Sequence, residues 1–275
     1  MTMINLKEGL SVGYHFKYSK RSQFKTEKIS DIKSNGEFSL SISNSENLEL
    51  VFRNKSYSTN MTSDPLVFSP VKLSYNSESN FFVIKNKESI KMQWDKHKEK
   101  YRNPKNLSMI MVVERLYFHI LFGLEYDLLS SSAYIPFFSN FYDRDFNEDY
   151  VIHGMSWVLT PLSIPVKIQY KLQHQQKNLI FLAGLVSLDE EKLSELIADK
   201  NFQQRAKSYH FTKNFTIDSD IKVVYDLDTG YLVSSNFKIK ISGKDEGLED
   251  EISFQLNQEE AGHTEEQAFK SFILE

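Results

Sequence analysis

With 275 residues, 40% of them hydrophobic and 25% charged, the chain is long enough to bury a substantial core, and β-rich domains of roughly 200–250 residues commonly fold as one unit. Its 33 basic and 37 acidic side chains leave a net charge of -4 and are interspersed, which excludes the basic stripe of a nucleic-acid binder. A cysteine count of 0 excludes disulfides and thiolate metal sites.

The N-terminus, MTMINLKEGLSVGYHF, lacks the basic and then apolar segments of a secretory signal. A cytoplasmic location is therefore expected, or a periplasmic one if a signal had been removed. From Leu10 to Ile84 the pattern is strand-like. Val12, Tyr14, Phe16 and Tyr18 alternate with polar residues, as a half-buried strand requires. Ile29 and Ile32 mark a weaker segment, and Ser34-Asn35-Gly36 reads as a turn, because Asn and Gly tolerate positive φ. Phe38, Leu40 and Ile42 form the next alternation, then Leu48, Leu50 and Phe52. Val71, Leu73 and Tyr75, and then Phe81 to Ile84, complete an antiparallel meander with short connections.

Residues Asn86 to Leu129 carry the longest helical pattern. Ile90, Trp94, His97 and Tyr101 share one face, Asn86 suits an N-cap, and Pro104 breaks the run. In the second helix a wide apolar sector from Met109 to Leu128 implies burial. A membrane span would need about 20 mostly apolar residues, and Glu114, Arg115, His119 and Glu125 interrupt this run, so the chain is not expected to span a membrane. The irregular stretch that follows holds Tyr134, Pro136, Phe137, Phe138, Phe141 and Tyr142, then Asp143 and Asp145.

Strands resume at Tyr150 to Val158, Val166 to Leu172 and Leu179 to Val186. Ser187 with Glu190 matches a capping box ahead of a short amphipathic helix. A strand is predicted at Arg205 to Phe211. Ile221, Val223 and Tyr225 alternate, Asp226 to Gly230 turns, and Tyr231 to Ser242 alternates again. Ile252, Phe254 and Leu256 read as an edge strand in an acidic tail.

The expected fold is α+β: an antiparallel curved sheet or half-barrel built from two β blocks, with an inserted central helical pair. It is read as one domain over 1–275, with β blocks at 1–85 and 150–257, the helical pair at 86–129, an aromatic and acidic loop at 130–149, a short helix at 188–200 and a tail at 258–275.

Three stretches carry a resemblance: Gly9 to Tyr14, FFVIKNKESIKMQW (Phe81 to Trp94) and YDLDTGYLV (Tyr225 to Val233). They resemble β-rich proteins of unknown function common in flavobacteria. These are similar in pattern to the half-barrel lipoprotein carriers and their lipid-binding relatives. The resemblance implies a half-barrel that holds an apolar ligand. The periplasmic relatives carry a signal or lipobox cysteine, which this sequence lacks.

Leu227-Asp228-Thr229-Gly230 matches the triplet of aspartic proteases, but that chemistry needs two carboxylates sharing a proton, and a tight turn is the favoured reading. Asp143, Asp145 and Asn147 copy the start of a calcium loop, which then fails at Glu148 and Gly154. The seven histidines show no HxH or HExxH spacing, so no metal is expected. Neither a Gly-rich phosphate loop nor a GxSxG elbow is present, so no cofactor and no enzyme is expected.

The candidate binding residues are Tyr134, Phe137, Phe138, Phe141, Tyr142, Asp143 and Asp145, because aromatics on a surface loop are typical interface anchors. The first functional expectation is a non-enzymatic protein-binding module of inhibitor, immunity or adaptor type, its acidic loop favouring a basic partner. The alternative is a carrier of an apolar small molecule or lipid, held between sheet and helices. An unrecognised enzyme is the third. Replacing Phe138 and Phe141 together by Ser should leave the melting temperature nearly unchanged while weakening partner or ligand binding. Unfolding of the double variant would instead place the loop in the core.

Overall fold

The structure is a computed structural model and describes residues 7, 9–24, 27–44, 49–59, 70–76, 81–98, 150–159, 162–200, 202–203, 215–243 and 248–259. Alternation of apolar and polar residues dominates these segments, and they form strands. β1 (Ser11–Phe24), β2 (Glu27–Asn44), β3 (Glu49–Thr59), β4 (Val71–Asn76) and β5 (Phe81–Ile84) precede α1 (Lys87–Lys98). Then come β6 (Tyr150–Leu159), β7 (Leu162–Gln176), β8 (Leu179–Leu188), α2 (Glu190–Ala198), β9 (Phe215–Asp226), β10 (Leu232–Gly243) and β11 (Leu248–Gln258).

All the described strands belong to one sheet of 11, in the order β5-β4-β3-β2-β1-β11-β10-β9-β8-β7-β6. Every neighbouring pair is antiparallel. The expected α+β class is therefore corrected. The described chain is β-rich, one large open antiparallel sheet, with two short helices among the described residues. The reason is strand length. β2 runs for 18 residues, β7 for 15 and β1 for 14, well past the local alternations that mark them. The second helix expected from Met109 to Leu128 lies outside the described residues, as does the strand expected at Arg205 to Phe211.

Two local readings are overturned. Ser34-Asn35-Gly36 is no turn: these residues pair with β1 on one side and β3 on the other. Gly36 is required for a close approach, since a Cβ there would stand 2.3 Å from the Ser56 carbonyl oxygen. Ile252, Phe254 and Leu256 do not lie on an edge. β11 is the central strand of the sheet, between β1 and β10, and these three side chains are buried.

Two helix starts also differ from expectation. The Asn86 side chain does not close the first turn of α1. It accepts from the Lys72 amide at 2.8 Å and donates to the Pro70 carbonyl at 2.7 Å, tying the helix to β4. In α2 the cap is Asp189 rather than Ser187, its carboxylate accepting from the Lys192 amide. α1 buries Ile90 and α2 buries Leu193.

One face of the sheet is the core. Phe38 sits among the rings of Tyr14, Phe16 and Phe52, with centroids 5.4, 6.1 and 5.6 Å away. Phe38 is fully buried, so Phe38→Ala should cost about 3–5 kcal/mol through lost transfer energy and a cavity. Equilibrium urea unfolding, with an unchanged m-value, checks this. A loss under about 0.5 kcal/mol, typical of surface positions, would place Phe38 outside the core.

Candidate functional site

The apolar face is continuous from one meander into the other. Directly opposed residues share a face, and one row reads Tyr18, Phe254, Phe237, Ile221, Gly184 and Tyr170 on β1, β11, β10, β9, β8 and β7. Gly184 leaves room for its neighbour, since a Cβ there would meet the Tyr170 ring and the Ile221 side chain at 3.0 Å. Phe237 and Phe254 meet edge to face at 6.4 Å, an arrangement that aromatic pairs favour. On the far meander Leu40, Phe52 and Val71 continue the face, and Ile84 closes it at β5. All of these aliphatic and aromatic side chains are buried.

Few polar groups interrupt this face. Ser235, opposite Leu256 and Val223, is 2% exposed, and its hydroxyl has no hydrogen-bond partner among the described residues. At one end of the face two tyrosines cross the strands. Tyr14 Oη donates to the Leu232 carbonyl at 2.8 Å, and Tyr231 Oη donates to the Leu10 carbonyl at 2.8 Å. The Lys7 amide adds a bond to the Thr229 carbonyl at 3.2 Å.

The opposite face is polar and of mixed sign. Lys240 pairs with Glu249 at 3.1 Å and Lys238 with Glu251 at 3.8 Å. Exposed pairs of this kind contribute about 0–1 kcal/mol each, so they add little to stability. A shallow cleft there is lined by Ser19, Arg21, Lys28, Asp31, Lys33 and Glu251. It holds three basic and two acidic side chains, and a hydrogen bond from Lys28 holds the Asp31 carboxyl below its ordinary value, helped by the nearby Lys33 and Arg21 charges.

The expected binding residues Tyr134, Phe137, Phe138, Phe141, Tyr142, Asp143 and Asp145 lie outside the described residues, and nothing described supports a protein partner there. The side chains of Trp94 and His97 are likewise outside. Leu227-Asp228-Thr229-Gly230 is the turn between β9 and β10. Asp226 closes it, accepting from the Asp228 amide and the Thr229 hydroxyl at 2.8 and 3.1 Å, while Gly230 takes φ 75. Asp228 is bonded to Asn178 of the neighbouring hairpin, so the protease-like triplet has a structural task. Gly154 sits in β6 opposite Val166, within a ladder rather than a calcium loop. His174 stacks on Phe181 at 4.1 Å. His15 meets Glu37, with Glu259 close by. Residue spacing could not reveal this cluster, because His15 and Glu37 come from two strands and Glu259 from just past a third.

No family model matches the sequence, and no curated protein matches it. Among solved structures the chain is similar to a lipovitellin, studied for its lipid–protein interactions. The identity is 8%, the match covers 92% of this chain and 25% of that one, and the TM-score is 0.39. The chain thus spans about a quarter of the length of that lipovitellin chain. A likeness this low assigns neither fold nor ligand. No helix among the described residues is long and apolar enough to cross a membrane.

Burial raises the pKa of Tyr231 above its ordinary value, and a hydrogen bond with the Ile42 backbone partly opposes the shift. A raised tyrosine pKa means that folding favours the neutral hydroxyl. That contribution is complete below about pH 10 and is lost as pH climbs through the raised value. Tyr231→Phe should therefore cost about 0.5–1.5 kcal/mol at neutral pH, from the lost hydrogen bond, yet lose less of its remaining stability above about pH 10 than the wild type does. Urea midpoints at neutral and alkaline pH measure both, and parallel pH curves for the two proteins would refute the assignment.

Proposed function

We propose that the protein carries an apolar ligand of the fatty-acyl class against the apolar face of its sheet. The observation that carries this reading is the extent of that face. It runs from β5 to β7, is chiefly aliphatic and aromatic with a few small polar residues such as Ser34 and Ser235, and is backed by a polar outer surface. A sheet with one apolar face must bury it against another layer. Among the described residues the helices contribute Ile90 of α1 to the core on that face.

Ligand sites are mostly apolar, with a few placed polar groups that fix orientation. Ser235 fits that pattern. Its unpartnered hydroxyl, in the middle of the face, would take a hydroxyl or carboxyl of the bound molecule. The ligand would lie between the sheet and the chain that covers it, with its polar end toward Ser235.

Native mass spectrometry of freshly purified protein should show extra mass of lipid size that organic extraction removes. The extracted protein should then bind a fluorescent fatty acid saturably. Ser235→Ala should keep the melting temperature or raise it, since an orphaned hydroxyl is removed, while weakening a carboxylated probe by about 0.5–1.5 kcal/mol. A clean apo mass together with no saturable probe binding would defeat the carrier reading.

A further inference from the structure

We infer that His15, Glu37 and Glu259 form a binding site for a divalent transition metal of the zinc class on the polar face of the sheet. His15 of β1 stands directly opposite Glu37 of β2. On its other side it stands opposite Asn257 of β11. Glu259 lies one two-residue step further on, its backbone amide donating to the Gly13 carbonyl at 2.9 Å. The strand period therefore brings all three side chains to one face.

One ligand atom from each residue lies within 4.8 Å of the others, and His15 Nδ1 is 3.3 Å from Glu37 Oε1. That separation is close to the edge of a tetrahedron whose metal–ligand bonds are about 2.0–2.1 Å. One imidazole and two carboxylates suit zinc-class ions, and three protein ligands leave a fourth position for water. Magnesium and calcium prefer an all-oxygen shell, so the imidazole in this set disfavours them.

Two neighbours shape the site. Gly13 makes room for the third ligand, because a Cβ there would stand 1.9 Å from Glu259 Oε2. Lys55 is the extra residue of a bulge, skipped between the pairings Glu37↔Ser56 and Phe38↔Asn54. Its Nζ lies 3.1 and 2.9 Å from the two Glu259 carboxylate oxygens. A metal ion at the site competes with this ammonium for Glu259, so Lys55 sets the affinity.

Titration of the full chain with Zn²⁺ by calorimetry, and with Co²⁺ by its visible absorption bands, should show one saturable site that Mg²⁺ and Ca²⁺ do not fill. His15→Gln and Glu37→Gln should each weaken Zn²⁺ binding by at least about tenfold, the loss seen even for outer partners of metal ligands. Lys55→Met should tighten it. These positions lie on the polar face, and circular dichroism confirms that each variant folds. The inference is overturned by an absence of saturable Zn²⁺ binding. It is equally overturned by binding that His15→Gln and Glu37→Gln leave unchanged, the mark of an adventitious ion only, or by weaker binding in Lys55→Met.

Discussion

The pairing of β1 with β11 is the constraint on which the rest of this structure depends. Each meander forms from contiguous chain, β1 to β5 on one side and β6 to β11 on the other. Only the ladder from Tyr14↔Gln258 to Phe24↔Leu248 makes them one sheet. Its partners lie far apart in sequence, so the loop-closure entropy is lost before the contacts are gained. The stabilisation that offsets this comes from burial along the seam, where Phe16, Tyr18, Phe254 and Leu256 meet on the apolar face. The crossed bonds of Tyr14 and Tyr231 span the same junction. The bond to the Leu232 carbonyl is buried, and such a carbonyl left without a partner would cost about 1–3 kcal/mol, so it also helps fix how the two meanders align.

The seam creates both surfaces considered as sites. On the inner side it joins two apolar half-faces into one. On the outer side it places β11 beside β1, and so Glu259 beside His15 and Gly13. The faces differ because the strand period is two, so apolar and polar residues that alternate along a strand go to opposite faces. The outer charges alternate in sign across strands, so that face carries no strong single-sign field.

The helices are subordinate to this sheet. α1 is held by the Asn86 side chain, which accepts from the Lys72 amide of β4 and donates to the Pro70 carbonyl just before that strand. α2 is held by Asp189, whose amide donates to the Pro165 carbonyl of β7 at 3.0 Å while its carboxylate caps the helix. In both, a residue suited by type to an N-cap is used to anchor the helix to a strand.

Local pattern in the sequence was enough to identify most strands, both short helices and the Asp226 to Gly230 turn, because alternation, helical spacing and turn chemistry act between near neighbours. It also supported the reading of Leu227 to Gly230 as a turn rather than a protease triplet. What the tertiary structure alone decided concerns partners distant in sequence. Gly36 looks like a turn residue until Ser56 is known to approach it. Ile252, Phe254 and Leu256 look like an edge until β1 is known to lie beside them. His15, Glu37 and Glu259 look unrelated until three strands align. In each case the deciding contact is a backbone pairing between far segments, and hydrophobic periodicity, which names the face of a strand, carries no information about which strand will be its neighbour.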